Sequence, residues 1–333
     1  MATLTEQVQG ERMARVALSI IAEPNDAASG QVLARVGGAE TLRLIESDDP
    51  VPGLARADAL MWRERLAARI TPAVLGRVAE TQGGAFGTLI PSDKDWPAAL
   101  NDLGDRAPYL LWTRGATSFL TRALSDRVTF TGARASTSYG EHVTGELVTG
   151  VADEERIVVT GGAYGIEGAA HRGALAAGGQ TVAVLAGGLD RPYPAGHSEL
   201  LNQISDVGLL VSEVPPGSAP TRHWFIARNR LLAALSGATV VPEAGVRSGS
   251  ISTVLAARDL GRGVGAVPGP VTSASSSGPN ELIRQGLATL VTQPSDVIAL
   301  LDADAPSRAV TRLETGRDFS QRRPSPGTPG RSI

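Results

Sequence analysis

Three glycine- or serine-rich turns, each directly following a short apolar run, hold the residues best suited to chemistry in this sequence. The clearest lies in residues 157–171, IVVTGGAYGIEGAAH. Its β-branched opening (157–160) is hydrophobic throughout, as expected of a strand buried on both faces. Gly161, Gly162 and Gly165 follow, and Ala169-Ala170 begins a helical stretch. Upstream, residues 128–130 run into Thr131-Gly132-Ala133-Arg134, with a helix expected from Ser138. Downstream, residues 239–241 run into PEAGVRSGS (242–250), with a helix through Ala257. Strand, glycine turn and helix together let backbone N–H groups and a helix N-terminus approach an anion. Two of the turns bring an arginine. One phosphate-binding crevice built from several loops is therefore expected, a site for a nucleotide or a nucleic acid.

The standard nucleotide fingerprints are missing. Glycines at 161, 162, 165 and 168 do not form G-x-G-x-x-G, and the next strand, 181–185, ends in Ala186-Gly187-Gly188 without an acidic residue for a ribose. The single lysine, Lys94, is far from any glycine turn. These features exclude P-loop ATP hydrolysis and argue against a dinucleotide cofactor; no cofactor is expected.

The second informative stretch is RHWFIARNRLLAALS (222–236). Leu231, Leu232 and Leu235 form a buried helical face, and Arg228-Asn229-Arg230 offers two cations for phosphate and an amide for a base edge. Residues i and i+2 do not share a helix face. One arginine is expected to bind ligand and the other to meet a structural carboxylate. Thirteen aromatic residues are few for this length, and Tyr139, Tyr164, Tyr193, Trp224 and Phe225 all fall beside glycine turns or this arginine cluster. Aromatic faces beside arginines suit single-stranded nucleic acid, whose bases stack. Glu167, His171, Asp190 and Glu243 lie near the same loops, but no fixed spacing pairs them and no nucleophile motif is present. Structural roles are expected for them, Glu167 as a partner of a helix dipole, and no catalytic residue is assigned.

The elements that must position these groups follow from the alternation of patterns. Strands are expected near 128–131, 157–160, 181–185, 208–211, 238–241, 263–267 and 288–291, with helices between most of them, and two more strands at 87–90 and 109–112. Alternating β and α with buried strands means an α/β fold with a doubly wound, mostly parallel sheet and ligand sites at the strand C-terminal ends. Residues 1–82 read as a small all-α unit, with helices at 12–22, 31–36 (ended by Gly37-Gly38), 39–46, 55–70 and 72–80. A helix-hairpin-helix bundle, a sterile-alpha-motif-like bundle and a packing domain without chemistry all fit that pattern. The main domain is expected over 83–302, and an Arg/Pro/Ser tail, disordered by composition, over 303–333.

Composition narrows the classes further. The 333 residues contain no cysteine, which removes disulfides, thiol catalysis and cysteine-bound zinc. Histidines 142, 171, 197 and 223 have no metal-ligand spacing, so no metal is expected. No apolar run is long enough for a membrane span and no signal-peptide core opens the chain, which predicts a cytoplasmic protein. Net charge is −3, yet six arginines fall between 221 and 262 against Glu243 and Asp259, a local basic patch.

Taken together these motifs resemble the DNA-processing protein A (DprA/Smf) family. The resemblance rests on Gly132-Ala133-Arg134, TGGAYGIEGAAHRGAL (160–175), AGGLDRPYP (186–194), SEVPPG (212–217), FIARNRLLAALS (225–236), SGSIST (248–253) and AVPGP (266–270), in the family's order over roughly 86–298. It implies an extended Rossmann-like domain that binds single-stranded DNA, a homodimer, and assistance in loading a RecA-type recombinase during natural transformation or recombination, without catalysis. Arg134 would take phosphate. The glycine turn would be 161–167, and Phe225, Arg228, Asn229 and Arg230 would grip backbone and bases. Ser248, Gly249 and Ser250 would supply a further phosphate turn, and Arg172 a basic residue after His171. The N-terminus resembles the family's sterile-alpha-motif-like domain, and a C-terminal winged helix is not expected. Departures from the family pattern are Ala133 for a serine, Glu167 for an aspartate, Ile226 for a proline after the phenylalanine, and Pro242 before Glu243. The same fold resembles small-nucleotide sensors and phosphoribohydrolases acting on nucleoside monophosphates; the P-G-G-x-G-T-x-x-E motif of those hydrolases is absent here.

Overall fold

The computed structural model describes residues 4–81 and 84–303. The expected tail falls outside these residues except for Ala303, which caps the last helix.

Nine strands form one sheet in the order β1-β2-β6-β5-β4-β3-β7-β8-β9. They are β1 (Gly87–Leu89), β2 (Leu111–Gly115), β3 (Arg127–Phe130), β4 (Ile157–Thr160), β5 (Thr181–Leu185), β6 (Leu209–Ser212), β7 (Ala238–Val241), β8 (Gly263–Ala266) and β9 (Thr289–Leu290). Strands β6 to β9 pair in parallel, for example Val158 opposite Thr181, while β2 pairs antiparallel with both β1 and β6. The sheet is therefore mostly parallel, Rossmann-like and doubly wound, as the alternation predicted.

Strands β3 to β7 are buried at every position because both faces are covered. Along β4, Ile157 and Val159 pack against Leu231 of α9 (Arg222–Ala234) and Leu235, which caps it, while Val158 packs against α6 (Ser138–Asp153) and α7 (Ile166–Ala176). The same two-residue alternation runs through β5, where Ala183 and Leu185 meet α8 (Ser198–Val207). Helices α10 (Ile251–Asp259) and α11 (Ser277–Arg284) extend the α9 layer, and α12 (Pro294–Asp302) extends the α6 layer.

Strand β3 lies between β4 and β7. From β3 the chain passes to α6 on one face, and from β7 to α10 on the other. Connections that diverge to opposite faces open a crevice beyond the strand carboxyl ends. The three glycine and serine turns meet there.

The helical part comprises α1 (Leu4–Gln7), α2 (Gly10–Ile21), α3 (Ala27–Ile45), α4 (Arg56–Ala67) and α5 (Pro72–Glu80) around its own core. Gly37, at φ +77°, breaks α3 where Gly37-Gly38 predicted a helix end, and the Gly38 amide donates to Glu11 at 2.7 Å. Strand β2 starts two residues later than its pattern suggests. Tyr109 leaves the sheet to fill the helical core, and its hydroxyl donates to the Glu23 carbonyl at 3.0 Å.

Candidate functional site

Three loops at the carboxyl ends of β3, β4 and β7 are tied by backbone hydrogen bonds. The Thr131 amide donates to the Val240 carbonyl at 3.1 Å, Ala133 to the Glu243 carbonyl at 2.7 Å, and Ile166 to the Ala133 carbonyl at 3.1 Å. Gly165 makes the last approach possible. It holds φ +74°, and a Cβ there would lie 2.2 Å from the Ala133 carbonyl oxygen. Glu243, buried, accepts from the Thr137 amide at 2.8 Å and its hydroxyl at 2.6 Å, which fixes the start of α6. Glu167, in the first turn of α7, accepts from the Thr131 hydroxyl and the Ala163 amide, both at 3.0 Å. Both carboxylates do the structural work expected of them.

These loops and the start of α9 enclose a cleft of about 750 Å³ lined by Arg134, Arg222, Arg228 and Arg247 together with Phe225 and Tyr193. Gly132, Asn229 and the turn Ser248–Gly249–Ser250 complete its wall, and α10 begins at that turn. The Arg134 guanidinium lies 4.7 Å from the centre of the Phe225 ring and that of Arg228 lies 6.0 Å from it, within reach of cation–π attraction. Tyr193 meets Phe225 edge-on with ring centres 5.7 Å apart. Arg134, Arg222 and Arg247 are exposed and form no ion pair among the described residues.

Arg228 is different. It is 3% exposed, donates to the Val184 carbonyl, and meets Glu167 at 3.9 Å. Burial pulls its guanidinium below the usual arginine range, Glu167 opposing and Arg134 adding to that pull. Gly161 makes room for it, since a Cβ at 161 would lie 1.9 Å from its Nη1. A buried cation with a distant, already engaged carboxylate and a second cation nearby leaves net positive potential on the cleft floor.

Sequence reasoning placed Gly132, Arg134, Phe225, Arg228, Asn229, Ser248, Gly249 and Ser250 at the site, and all line the cleft. Gly161 stands beneath the Arg228 guanidinium and Gly165 shapes the β4 turn, whereas Gly162 packs on Leu201 and Leu185. Arg172 is exposed outside the cleft lining, with Nη1 3.5 Å from the His197 ring. Two expectations need correction. Arg230 turns away from the cleft to form a two-pronged pair with Glu213, both contacts 2.6 Å, because positions 228 and 230 lie on different helix faces. Asn229 has no free amide for a base edge. Its Nδ2 donates to the Gly249 carbonyl at 3.1 Å and the Ser252 hydroxyl at 2.8 Å, and its Oδ1 accepts from Arg228 at 3.3 Å, so it fixes the serine turn.

The arginine run does not form one patch either. Arg222, Arg228 and Arg247 reach the cleft, while Arg258 donates to the Leu287 carbonyl and Arg262 pairs with Asp102. Of the five singled-out aromatics, Phe225 and Tyr193 line the cleft. The Tyr139 hydroxyl donates to the Pro268 carbonyl at 2.7 Å, Tyr164 packs edge-on against His197, and Trp224 faces the helical unit. Sequence reasoning counted Arg247 among the turn arginines without assigning it to the site, and did not single out Arg222. Their signals were position, one at the first residue of a helix and one inside a serine-glycine turn. Among the described residues no group of three histidine, aspartate or glutamate side chains is assembled as a metal site.

A family model described as DNA recombination-mediator protein A matches residues 87–302. The chain belongs to the DNA recombination-mediator protein A family. The matched residues run from the first strand of the sheet through the last helix, and so contain the whole cleft. A Mycobacterium tuberculosis protein named as a DNA processing protein DprA is 51% identical over 220 residues, 63% of this chain and 56% of that protein. The chain thus spans little more than half the length of this curated relative. The X-ray structure of DNA processing protein A from Streptococcus pneumoniae superposes with a TM-score of 0.72 at 32% identity, covering 88% of this chain and 98% of that one. DNA processing protein A from Helicobacter pylori, whose structure describes a single-stranded DNA binding mode, superposes with a TM-score of 0.59 at 30% identity, covering 67% of this chain and 98% of that one. Among the described residues no helix is long and apolar enough to cross a membrane.

Proposed function

We propose that the cleft binds single-stranded DNA and that the protein acts in DNA processing during recombination or transformation as a binding module. The observation that carries this reading is the convergence of Arg134, Arg222, Arg228 and Arg247 on the Phe225 ring at the strand carboxyl ends. Arginines give affinity through phosphate neutralisation, and an aromatic face accepts any base by stacking, so affinity falls with salt and depends little on sequence. The single-stranded DNA bound by the Helicobacter pylori relative supports the same ligand class here. Assistance to a RecA-type recombinase and homodimer formation belong to the same proposal; family membership supports both. The division near residues 82–83 into a helical domain and a DNA-binding domain is supported by the core that the helices build, to which Tyr109 adds, while Val16 of α2 is buried against the sheet.

Fluorescence anisotropy with labelled poly-dT across a salt series tests the reading. An Arg134→Ala/Arg247→Ala variant removes two exposed cations without emptying the core. It is expected to bind more weakly and with a shallower salt slope than the wild type. Equal binding by both proteins refutes the site. A mononucleotide that competes as well as the oligomer replaces DNA binding with nucleotide sensing.

A further inference from the structure

The first turn of α9 faces two ways. Phe225 points into the cleft, while its neighbour Trp224 points into the helical unit, where Nε1 donates to Glu23 Oε2 at 2.8 Å. Glu23 follows directly on the end of α2 and is itself held. Arg69 pairs with its Oε1 at 2.6 Å, and its carbonyl accepts from Tyr109. Burial alone would raise the Glu23 carboxyl, but the hydrogen bonds from Trp224 and Arg69 outweigh it and hold the group below the ordinary glutamate range.

A second contact reaches the same wall just upstream. Arg77 of α5 donates to the Pro216 carbonyl at 2.8 Å and to the Ser218 hydroxyl at 3.2 Å. The loop it grips is continuous with the cleft. Ser218 accepts the Gly188 amide at 2.9 Å, Asp190 accepts the Gly217 amide at 2.7 Å, and Pro220 and Arg222 line the cleft. The helical unit thus holds the cleft wall at two points, Trp224 and the 216–218 loop.

We propose that Glu23 and Arg77 are positioning residues through which the helical unit sets the cleft wall formed by residues 215–225; this rests on the DNA-binding reading of the cleft. Neither residue lines the cleft. Their effect passes through Trp224 and Ser218 to Arg222 and Phe225.

The test compares Glu23→Ala, Trp224→Phe, their combination, Glu23→Gln and Arg77→Ala in the full chain. Two readouts are used: poly-dT affinity across salt, and amide hydrogen exchange by mass spectrometry. Loss of one hydrogen bond is expected to weaken dT binding roughly three- to tenfold in Glu23→Ala and in Trp224→Phe. The combination should be no weaker than Glu23→Ala, because that variant already removes the bond Trp224→Phe breaks, together with the Arg69 pair. The salt slope should hold, since no cleft arginine is removed. Glu23→Gln keeps an oxygen for Trp224 and should stay near wild type. Amides of 215–226 should exchange faster in Glu23→Ala and Arg77→Ala, while those of β3 to β5 are unchanged. Unchanged exchange at 215–226 overturns the proposal, as does faster exchange with undiminished affinity, additive losses, or a Glu23→Gln protein as weak as Glu23→Ala. Wild-type protein that binds no dT refutes the DNA reading instead, and the exchange data still decide whether the wall is clamped.

Discussion

Arg228 and Glu167 face each other across the cleft floor at 3.9 Å, too far for a hydrogen bond, although both are almost fully buried. Glu167 spends its oxygens on the Thr131 hydroxyl and the Ala163 amide, and Arg228 spends a nitrogen on the Val184 carbonyl. The pair holds the loops in place while leaving the cation partly uncompensated. On the proposed reading, an arriving phosphate would complete the charge balance.

It follows that Glu167 competes with the ligand for Arg228. Glu167→Gln keeps an acceptor for Thr131 or Ala163 but removes the negative charge. Tighter dT binding, about two- to fivefold at low salt, is expected together with a lower melting temperature. Weaker binding than wild type would contradict the competition.

Arg230 and Glu213 form a buried pair away from the cleft, with side chains 8% and 6% exposed. Glu213→Ala strands a buried guanidinium and should cost about 3–5 kcal/mol in urea unfolding. Replacing both, as Arg230→Met/Glu213→Leu, should recover most of that loss. The double variant should bind dT within twofold of wild type and with the same salt slope. A reduced slope would place Arg230 on the DNA.

On the proposed DNA-binding reading, Phe225 supplies the stacking face. Phe225→Ala is expected to weaken dT binding by about 1–3 kcal/mol, and Phe225→Tyr by much less. The salt slope should stay at its wild-type value, because phosphate contacts are untouched. A slope that falls along with affinity would show that the ring acts by holding Arg134 and Arg228.

His171 is sealed in the core, with Nδ1 2.8 Å from the Thr181 hydroxyl, and burial pushes its pKa down to about 3, the charges of His197, Arg172 and Arg228 adding to the effect. An unfolded histidine titrates near 6.5. Above that value both states are neutral and the stability is fully present. As pH falls toward 3 the unfolded state takes up the proton first, and stability drops by about 1.4 kcal/mol per pH unit. Urea midpoints from pH 7 to pH 4 should show this slope, and His171→Gln should flatten it. An unaltered slope in the variant would assign the acid sensitivity to other groups.

Local patterns were legible because their causes are local. The largely apolar, β-branched runs at 128–130, 157–160, 181–185 and 238–241 form strands within a residue of expectation, since a strand buried on both faces has no exposed position to blur its ends. The turn after β4 was readable because Gly161 and Gly165 stand where no side chain fits, and the break in α3 because Gly37 adopts a left-handed φ.

What only the tertiary structure decided are partnerships between residues far apart in the chain. Periodicity predicts a strand without naming its neighbour. The pairing of β3 with β7, about 110 residues later, opens the crevice. The pattern R-N-R likewise offers two equal cations. Their fates part because Arg228 turns toward Val184 and Glu167 over Gly161, while Arg230 turns toward Glu213. Helix phase could say that the two differ, but not which would face the ligand. Glu23 and Trp224, 201 positions apart, carry no signal in either stretch, since a glutamate after a helix and a tryptophan in a first turn are each ordinary alone. The residue types that do the chemistry are written in the sequence; the choice among them belongs to the packing of one element against another.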